Sequence, residues 1–277
     1  MKFYNYPSVL SIAGFDGSGG AGIQADLKTI SALGCYATTV LTALPVQNTQ
    51  GVQSIFSIPT PVVSDQLDSI FDDIIPSAVK IGMVHTPQLV TTIAQKLKMH
   101  QEIPVVFDPV MVATSGHKLI KNPTIKKIIS DLFPLAAVIT PNMDEASILA
   151  EMNVENLQDM REAGQKIMKL GCKSVLLKGG HLKTDVLTSL YFDTNGKIHE
   201  FEFKKFETQN MHGSGCTLSS AIAAYIAQGK SLLNAVELGQ NYVHQAIFHS
   251  KDVKIGKGYG PLNHFFNPQK LIKNEME

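Results

Sequence analysis

The chain has 277 residues, of which 44% are hydrophobic and 17% charged, with 24 Lys+Arg balanced by 24 Asp+Glu. This length is enough for one large α/β domain or two ordinary domains with a well-filled core. The zero formal net charge argues against binding to nucleic acid or an anionic membrane mainly through bulk charge. No uninterrupted run of about 18 apolar residues occurs, and the first residues do not follow the pattern of a signal peptide.

Cysteine and arginine usage narrows the expectations further. The three cysteines, Cys35, Cys172 and Cys216, are odd in number and far apart, which favours a reducing compartment over a disulfide scaffold. We therefore expect a cytoplasmic protein. Arg161 is the sole arginine and lies in a polar helical stretch away from any glycine-rich loop. If the protein handles phosphate, backbone amides, lysine and metal must do most of that work.

Apolar strand-like runs alternate with helix-period runs along most of the chain. The predicted strands are residues 9–13, 36–44, 79–83, 105–108, 137–140 and 174–178. Several of them are continuously apolar, as expected for a parallel sheet covered on both faces. The alternation predicts βαβ units within a single domain of residues 1–277, an α/β fold with a central, mostly parallel sheet flanked by helices on both faces.

Helix boundaries are marked by capping residues and glycines. Thr60, Thr86 and Asn122 each precede a proline, which predicts an N-cap followed by proline at the first helical position. Gly34 and Gly171 follow helical runs and predict left-handed C-terminal stops.

The pattern changes after Lys178. Residues 188–192 and 199–203 predict antiparallel strands joined through Asp-Thr-Asn-Gly, and residues 216–228 and 232–250 predict two helices. The segment beyond Lys254 is expected to be loop-like.

The first glycine-rich loop, residues 14–22 (GFDGSGGAG), follows a strand and opens a helix. It satisfies the GxGxxG dinucleotide pattern, but no acidic residue lies between Asp26 and Asp65 to bind a ribose hydroxyl. A Walker A loop is also missing, because Ala224 replaces the first glycine ahead of Gly229-Lys230-Ser231. The loop offers close backbone approach at a helix N-terminus, and Asp26 alone could merely complement the helix dipole.

The second loop, residues 211–216 (MHGSGC), also runs into a helix. Gly213 and Gly215 allow consecutive amides to converge, and the helix start adds partial positive charge. This is a suitable place to hold negative charge on a phosphoryl group in transfer. Cys216 would stand where a helix N-terminus lowers a thiol pKa. The alternative is a glycine turn into a core helix, with Cys216 as a small buried hydrophobic residue.

Polar residues recur where the predicted strands end. Asp108 ends one apolar run, and Asn142 and Glu145 follow another in a spacing close to a capping box. A functional interpretation is that Asp108 and Glu145 hold Mg²⁺ through water while Asn142 orients phosphate. Lys178, at a further strand end, would supply a cation. The recurrence at strand ends favours a phosphoryl-transfer site.

Several motifs taken together resemble a known family. They occur in the order 14–26 with LKTISALG after it, 47–49 (QNT), 80–83 (KIGM), 108–111 (DPVM), 140–145 (TPNMDE), 178–181 (KGGH), 212–216 (HGSGC) and 258–261 (GYGP). The set is similar to the hydroxymethylpyrimidine/phosphomethylpyrimidine kinases of thiamine biosynthesis, a branch of the ribokinase-like superfamily. The resemblance spans nearly the whole chain.

The resemblance implies a ribokinase-like sheet, ATP as co-substrate with Mg²⁺, and two successive phosphoryl transfers, first to the hydroxymethyl group and then to the monophosphate. It implies that Gln47 hydrogen-bonds the aminopyrimidine near Gly14, Asp26 and Met83, a task that suits an amide because it donates and accepts at once. Homodimers are usual for the family.

The resemblance also assigns the chemistry. It places Asn142 and Glu145 at the metal and phosphates, and Gly213 and Gly215 at the phosphates. Asp108 as the second metal ligand and Lys178 as the phosphate-binding cation follow from their positions at strand ends. The resemblance places Gly213, Ser214, Gly215 and Lys178 in the catalytic anion hole. Cys216 stands where many ribokinase-like enzymes carry an aspartate, and its assignment as the base requires a depressed thiol pKa.

Three features depart from the family pattern. Phe15 and Gly17 replace a more usual Thr or Ser and Pro or Ser, and Pro45-Val46 replaces a common Val-Ala before the glutamine. Met211 replaces a threonine ahead of the His-Gly, which removes a hydroxyl from the approach to the anion hole.

Other functions compete with this interpretation. Pyridoxal kinases of the same branch often carry a second cysteine after the Asp-Pro-Val-Met element, whereas residues 112–116 here read Val-Ala-Thr-Ser-Gly. The pyrimidine substrate is therefore preferred, with activity on pyridoxine-type substrates as a side reaction. A non-catalytic vitamin- or phosphate-binding protein would need neither metal ligands nor a base. A dinucleotide oxidoreductase is disfavoured by the missing ribose-binding acid.

Overall fold

The structure is a computed structural model that describes residues 2–111 and 120–276. Within these residues the strands are β1 (Tyr4–Asn5), β2 (Ser8–Ala13), β3 (Tyr36–Leu41), β4 (Ala43–Asn48), β5 (Gly51–Ser57), β6 (Ala78–Ile81), β7 (Val105–Phe107), β8 (Val138–Ile139), β9 (Val175–Leu177), β10 (Val186–Phe192), β11 (Ile198–Lys204) and β12 (Asn274–Glu275). The α-helices are α1 (Gly22–Ala32), α2 (Thr60–Asp73), α3 (Pro87–Leu97), α4 (Asn122–Asp131), α5 (Met143–Ala150), α6 (Leu157–Met168), α7 (Ser214–Ala227) and α8 (Leu232–Phe248).

The main sheet contains eight strands in the order β3-β2-β6-β7-β8-β9-β10-β11. The six strands from β3 to β9 run parallel, and β10 and β11 add an antiparallel edge. This confirms the predicted α/β fold with a mostly parallel sheet. From β2 the chain first adds β3 on one side and later adds β6 on the other side of β2. The direction in which strands are added therefore reverses at β2. Ligands of open α/β sheets bind at the carboxyl ends of strands near such a reversal.

Apolar side chains fill both faces of the sheet. In β2, Leu10 and Ile12 contribute to the core beneath α2–α6, whereas Val9 contributes to the core beneath α1, α7 and α8. In β7, Phe107 and Val106 divide between the two cores in the same way. The alternation follows from the two-residue period of a strand, and burial on both faces explains why these strands read as continuous apolar runs.

The helix boundaries confirm part of the predicted capping. Thr86 caps α3, and its hydroxyl accepts a hydrogen bond from the Leu89 amide at 3.3 Å. The predictions for Thr60 and Asn122 were wrong by one position, because each is already the first residue of its helix. The proline then takes the second helical position, where a missing N–H is equally harmless, since the first four amides of a helix lack intrahelical acceptors. Gly34 and Gly171 have φ of 79° and 98°, as predicted for left-handed stops.

The predicted strand over residues 36–44 is divided in the structure. Thr42 ends the run by donating its hydroxyl to the Met83 carbonyl at 2.7 Å, and the chain then leaves the main sheet. Strands β4 and β5 form a separate antiparallel hairpin. The sequence analysis missed this hairpin, which carries Gln47 towards the carboxyl edge of the main sheet.

The C-terminal third follows the predictions closely. Strands β10 and β11 pair antiparallel, and α7 and α8 pack against each other. The segment beyond Lys254 is mostly without regular structure, except that β12 pairs with β1. None of the helices in the described ranges is both long and apolar enough to cross a membrane.

Candidate active site

A cavity of about 580 Å³ opens at the carboxyl edge of the parallel strands. Its wall includes nearly all of the residues that the sequence analysis assigned to a site: Gly14, Gln47, Met83, Asp108, Asn142, Glu145, Lys178, Gly213, Ser214, Gly215 and Cys216. These residues come from seven separate stretches of the chain. They meet because the carboxyl ends of parallel strands lie at one edge of a sheet.

A lysine–aspartate pair forms the floor of the cavity. Lys178 follows β9 and Asp108 follows β7, and the lysine Nζ lies 2.9 Å from Asp108 Oδ1. Thr140 donates its hydroxyl to the same carboxylate oxygen at 3.0 Å. Burial alone would lower the pKa of Lys178, but the charges of Asp108 and Glu145 more than offset this and raise the pKa above its ordinary value. Lys178 is therefore a fixed cation.

Asn142 and Glu145 form the capping box that the sequence indicated at the start of α5. Asn142 Oδ1 accepts from the Glu145 amide, and Glu145 Oε2 accepts from the Asn142 amide, both at 2.8 Å. Glu145 Oε1 also accepts from the Met111 amide at 3.3 Å. Burial raises the pKa of Glu145 to about 7, opposed by Lys178 and reinforced by Asp108. The structural and functional interpretations of this motif are thus compatible, since the cap holds Glu145 at the cavity.

The second glycine loop forms a turn at the start of α7. Gly213 caps the helix with a φ of 81°, a conformation that favours glycine. A Cβ atom on Gly215 would lie 3.2 Å from Lys178 Nζ and 3.3 Å from Asp108 Oδ2, so the turn packs directly on the charged pair. Amides at a helix start carry partial positive charge. The turn, Lys178 and Asp108 therefore surround one small volume of the cavity.

Cys216 lies on the cavity wall at the first turn of α7. Loss of hydration raises the pKa of its thiol to about 11, while the Lys80 cation opposes the rise and Asp26 and Asp108 add to it. A hydrogen bond from the Gly22 amide also favours the thiolate. The depressed thiol pKa that the base assignment requires is therefore not present in the protein without ligands, because burial and two carboxylates outweigh the lysine and the Gly22 hydrogen bond.

Asp26 does not line the cavity, which corrects its assignment as a substrate contact. Its side chain is fully buried beneath the wall and pairs with Lys80 at 2.8 Å. The hydroxyls of Ser11 and Ser220 also donate to it, at 2.5 and 2.7 Å. With its oxygens engaged in this way, Asp26 supports the wall and balances the Lys80 cation.

One end of the cavity suits a small planar ring. Gln47 reaches in from β4, with its Nε2 3.5 Å from the Phe15 carbonyl. The Met83 sulfur packs against Gly14, where a Cβ atom would lie 3.5 Å from it. Of the positions that depart from the family pattern, Phe15, Pro45 and Met211 are on the wall, whereas Gly17 and Val46 are not.

The sequence analysis missed another part of the cavity wall, which comes from β10, β11, the segment after β11 and the last two helices. Its residues include Leu187, Phe203, Phe206, Leu218, Val243, His244 and Ile247. These residues belong to an ordinary amphipathic pattern that gave no separate signal. Asp16 and His212, by contrast, lie inside the quoted glycine loops and were given no role.

Arg161 lies away from the cavity and pairs with Glu200 at 2.6 Å. This agrees with the expectation that the site uses amides and lysine in place of an arginine clamp. Residues 112–116, the segment in which pyridoxal kinases often carry a second cysteine, lie outside the described residues.

The fold and this arrangement define a class of protein. An open parallel sheet whose carboxyl edge carries a fixed lysine, two carboxylates and a glycine turn at a helix start has the parts that a phosphotransferase needs. The sequence model for phosphomethylpyrimidine kinase matches residues 16–263. The chain belongs to the phosphomethylpyrimidine kinase family.

Curated relatives carry the corresponding names. The chain is 45% identical over 257 residues to the hydroxymethylpyrimidine/phosphomethylpyrimidine kinase of Rhizobium meliloti, an alignment that covers 92% of the chain and 96% of the relative. It is 44% identical over 257 residues to the thiamine biosynthesis bifunctional protein of Geobacter sulfurreducens, covering 93% of the chain and 52% of the relative. The chain thus spans about half the length of the bifunctional relatives it matches.

Solved structures of kinases match the fold of this chain. A phosphomethylpyrimidine kinase from Clostridium difficile matches with a TM-score of 0.76 and 41% identity, covering 87% of this chain and 99% of that one. An ADP complex of Bacillus subtilis pyridoxal kinase matches with a TM-score of 0.86 and 35% identity, covering 94% and 98%. The pyridoxal kinase of Staphylococcus aureus with AMP-PCP and pyridoxal gives 0.85 and 31%, covering 98% and 100%. The protein is a kinase, and neither a non-catalytic binder nor a dinucleotide oxidoreductase.

Proposed function

We propose that this protein uses ATP to phosphorylate 4-amino-5-hydroxymethyl-2-methylpyrimidine and then phosphorylates the resulting monophosphate, supplying the diphosphate for thiamine biosynthesis. In the first step the hydroxymethyl oxygen attacks the γ-phosphorus of ATP, the bond to ADP breaks, and the hydroxyl proton passes to a base. In the second step a phosphate oxygen of the monophosphate is the nucleophile. The observation that carries the proposal is the packing of the Gly213–Gly215 turn on Lys178 and Asp108 inside a cavity that also holds Gln47.

The pyrimidine is proposed to bind at the end of the cavity lined by Gln47, Gly14 and Met83. The Gln47 amide offers a donor and an acceptor, which match a ring nitrogen and the neighbouring amino group. Met83 supplies an adaptable apolar contact for the ring. Gly14 leaves room for the ring to approach the backbone, and Asp26 supports this wall from beneath.

The transferring phosphoryl group is proposed to lie between the Gly213–Gly215 turn and Lys178. Charge develops on the phosphoryl oxygens in the transition state, and preorganised amides and a fixed cation stabilise it without reorganisation. Ser214 adds an amide to the turn, and Asn142 lies on the wall near Lys178 to orient phosphate.

Mg²⁺ is proposed to act with ATP at Asp108 and Glu145. The described residues contain no group of three or more His, Cys, Asp or Glu side chains arranged to hold a metal. Two carboxylates on one wall fit Mg²⁺, which keeps several waters and binds through one or two carboxylates and substrate phosphates. When bound there, the ion would neutralise negative charge on the phosphates. Without the ion, burial disfavours the ionised form of Glu145, and the pKa of this carboxyl is therefore raised.

Cys216 is proposed as the base that receives the hydroxyl proton. Its sulfur sits at the helix start beside the turn, and the Lys80 cation and the Gly22 amide favour the thiolate. Because the thiol pKa is about 11 in the protein without ligands, only a small fraction is thiolate at neutral pH. For Cys216 to act as the base, binding of substrate and ATP must therefore lower the pKa of its thiol.

Pyridoxal kinase activity is the second candidate. It is favoured by the higher TM-scores to the pyridoxal kinases than to the Clostridium difficile phosphomethylpyrimidine kinase. Identity favours the pyrimidine substrate, at 41% against 31–35%. Turnover with ATP should be compared side by side on hydroxymethylpyrimidine and pyridoxal. Faster phosphorylation of pyridoxal would reverse the ranking.

The assembly proposed is a homodimer of single-domain kinases that span residues 1–277. The β4–β5 hairpin exposes Leu44, Val46 and Phe56, with Phe56 62% exposed. An exposed apolar face of this kind is typical of a protein interface. Analytical ultracentrifugation tests the assembly: we expect the mass of a dimer for the native protein and the mass of a monomer for Phe56→Glu.

A cytoplasmic location is also proposed, since all three cysteines are unpaired.

A structure with the pyrimidine and a non-hydrolysable ATP analogue tests the whole assignment. We expect the ring on Gln47 and the γ-phosphate against Gly213 and Gly215, next to the sulfur of Cys216. A nucleotide bound elsewhere, with the glycine turn inaccessible, would refute the proposed function.

A further inference from the structure

A buried carboxylate organises the loop between β2 and α1. The Asp16 side chain is fully buried. Its Oδ1 accepts hydrogen bonds from the amide and the hydroxyl of Ser18 at 2.9 and 2.7 Å. Its Oδ2 accepts from the amides of Gly20 and Ala21 at 3.1 and 2.7 Å. Asp16 thus determines the shape of the loop that leads from Gly14 on the substrate wall into α1.

The same carboxylate reaches a second loop. His212 Nε2 lies 2.9 Å from Asp16 Oδ2, and this side chain comes from a position 196 residues further along the chain. A carboxylate only accepts hydrogen bonds, so the histidine Nε2 must carry the proton. Although burial would raise the pKa of Asp16, hydrogen bonds from His212 and Ser18 and the partial charge of the ring hold it well below its usual range. The acceptor is therefore ionised at working pH.

The two loops touch around this hydrogen bond. A Cβ atom on Gly213 would overlap the Gly20 carbonyl oxygen at 1.7 Å, and one on Gly20 would lie 2.5 Å from His212 Cδ2. The His212 amide also donates to the Gly260 carbonyl at 3.0 Å. With no space between them, a displacement of either loop must move the other, since close-packed interiors transmit strain.

We propose that His212 is a positioning residue, whose hydrogen bond to Asp16 fixes the Gly213–Gly215 turn relative to the loop carrying Gly14. The inference rests on the proposed function, in which the turn holds the phosphoryl group and the loop with Gly14 lines the substrate site. Fixing one loop relative to the other keeps the distance between the phosphoryl group and the substrate hydroxyl constant. Small errors in such a distance reduce the rate of transfer far more than the affinity for either substrate. His212 acts through the turn, since its Nε2 is already committed to Asp16.

The test compares His212→Leu, which removes the donor, with His212→Gln, whose amide N–H can replace it. We expect His212→Leu to lower kcat about tenfold or more while KM for ATP changes less than about twofold. His212→Gln should recover most of kcat. Equal losses in the two variants, or an unchanged kcat in His212→Leu, would overturn the proposal.

A double-mutant cycle with Asp16→Asn isolates the hydrogen bond. If the bond is what positions the turn, the double variant Asp16→Asn/His212→Leu should lose no more kcat than the worse single variant. Multiplicative losses would show that the two residues act separately. Melting curves of each variant establish that the folded protein is being assayed.

A spectroscopic measurement on the unsubstituted protein does not depend on any variant folding. The Nε2 proton of His212 should appear far downfield and exchange slowly with water, as expected for a ring N–H bound to a buried carboxylate. Rapid exchange would overturn the proposal. This result is also independent of the proposed function, whose own failure would show as an absence of ATP-dependent phosphorylation of hydroxymethylpyrimidine by the unsubstituted protein.

Discussion

Lys178 and Asp108 lie 70 residues apart in sequence, yet Lys178 Nζ is 2.9 Å from Asp108 Oδ1 at the floor of the cavity. The pair joins the carboxyl ends of β9 and β7, which are separated in the sheet by β8. The two charges neutralise each other in the protein without ligands, so the half-buried lysine remains protonated and ready to meet an incoming phosphate.

Replacement of Gly215 by alanine should disrupt the phosphoryl site. The added methyl would lie 3.2 Å from Lys178 Nζ and 3.3 Å from Asp108 Oδ2, so the pair must shift or the turn must open. We expect kcat to fall by roughly 10²-fold, comparable to loss of one preorganised donor. Steady-state kinetics measure this. The matched control is Gly180→Ala on the same cavity wall, where an added Cβ meets nothing within 4 Å.

Cys216 should be unreactive at neutral pH in the protein without ligands. Because the pKa of its thiol is about 11, alkylation by iodoacetamide should be slow near pH 7 and rise about tenfold per pH unit towards that pKa. Mass spectrometry of the peptide that contains residue 216 gives the rate. A plateau already reached near pH 8 would contradict the raised pKa.

The same residue should be essential for turnover if it is the base. Cys216→Ala and Cys216→Ser should each lower kcat by about 10²-fold or more, within the range for general-base catalysis. Cys35→Ala is the control, since this buried thiol lies outside the cavity wall. Little loss of turnover in both Cys216 variants would remove the base assignment.

Glu145 should make stability depend on pH. Its pKa is about 7 in the folded protein against an ordinary 4.5. The folded state therefore binds the proton more tightly than the unfolded chain, so this stabilisation is complete below about pH 4.5 and is lost as pH rises through about 7. The loss should be about 3 kcal/mol, because one pKa unit corresponds to about 1.4 kcal/mol.

Urea unfolding at several pH values between about 4 and 8 measures that slope. It should flatten in Glu145→Gln, which carries no titrating carboxyl, and persist in Glu237→Gln on the exposed face of α8. Slopes are compared instead of absolute stabilities, because the glutamine amide accepts hydrogen bonds at one oxygen only. An unchanged slope in Glu145→Gln would refute the prediction.

Gln47→Leu should weaken binding of the pyrimidine and leave ATP binding unchanged. Leucine keeps the volume but removes both the donor and the acceptor, so KM for the pyrimidine should rise roughly tenfold or more. The KM for ATP should stay within about twofold. Gln50→Leu at the exposed turn of the same hairpin is the control. Equal effects of the two substitutions would show that Gln47 makes no specific contact.

Removing the buried partner of Lys80 should destabilise the fold. Asp26→Asn leaves a fully buried cation without its counter-charge, and breaking such a pair costs about 3–5 kcal/mol. Glu162→Gln breaks the exposed pair with Lys166, 3.0 Å apart, and should change stability by less than about 1 kcal/mol. Thermal or urea unfolding compares the two. Similar losses would mean that Lys80 finds another partner.

Much of the fold could be read from the sequence because each feature has a local physical cause. Continuous apolar runs mark strands buried on both faces, glycines at 34 and 171 mark left-handed helix ends, and the spacing of Asn142 and Glu145 is that of a capping box. Nearly every site residue that the ordered motifs indicated likewise lies on the cavity wall. Helix starts at Thr60 and Asn122 shifted by one residue because proline is tolerated throughout the first turn.

Other features depended on where distant segments meet. The chain leaves the main sheet at Thr42, whose hydroxyl donates to the carbonyl of Met83, a residue 41 positions away, and β4 and β5 then pair with each other. Asp26 leaves the substrate wall because Lys80, Ser11 and Ser220 surround it. The direction of the Cys216 pKa shift was decided by burial and by charges from three other strands and helices. Local sequence thus determined the elements and the residue types at the site, whereas desolvation and long-range charge, which exist only in the folded chain, decided what those residues contact and whether they are ionised.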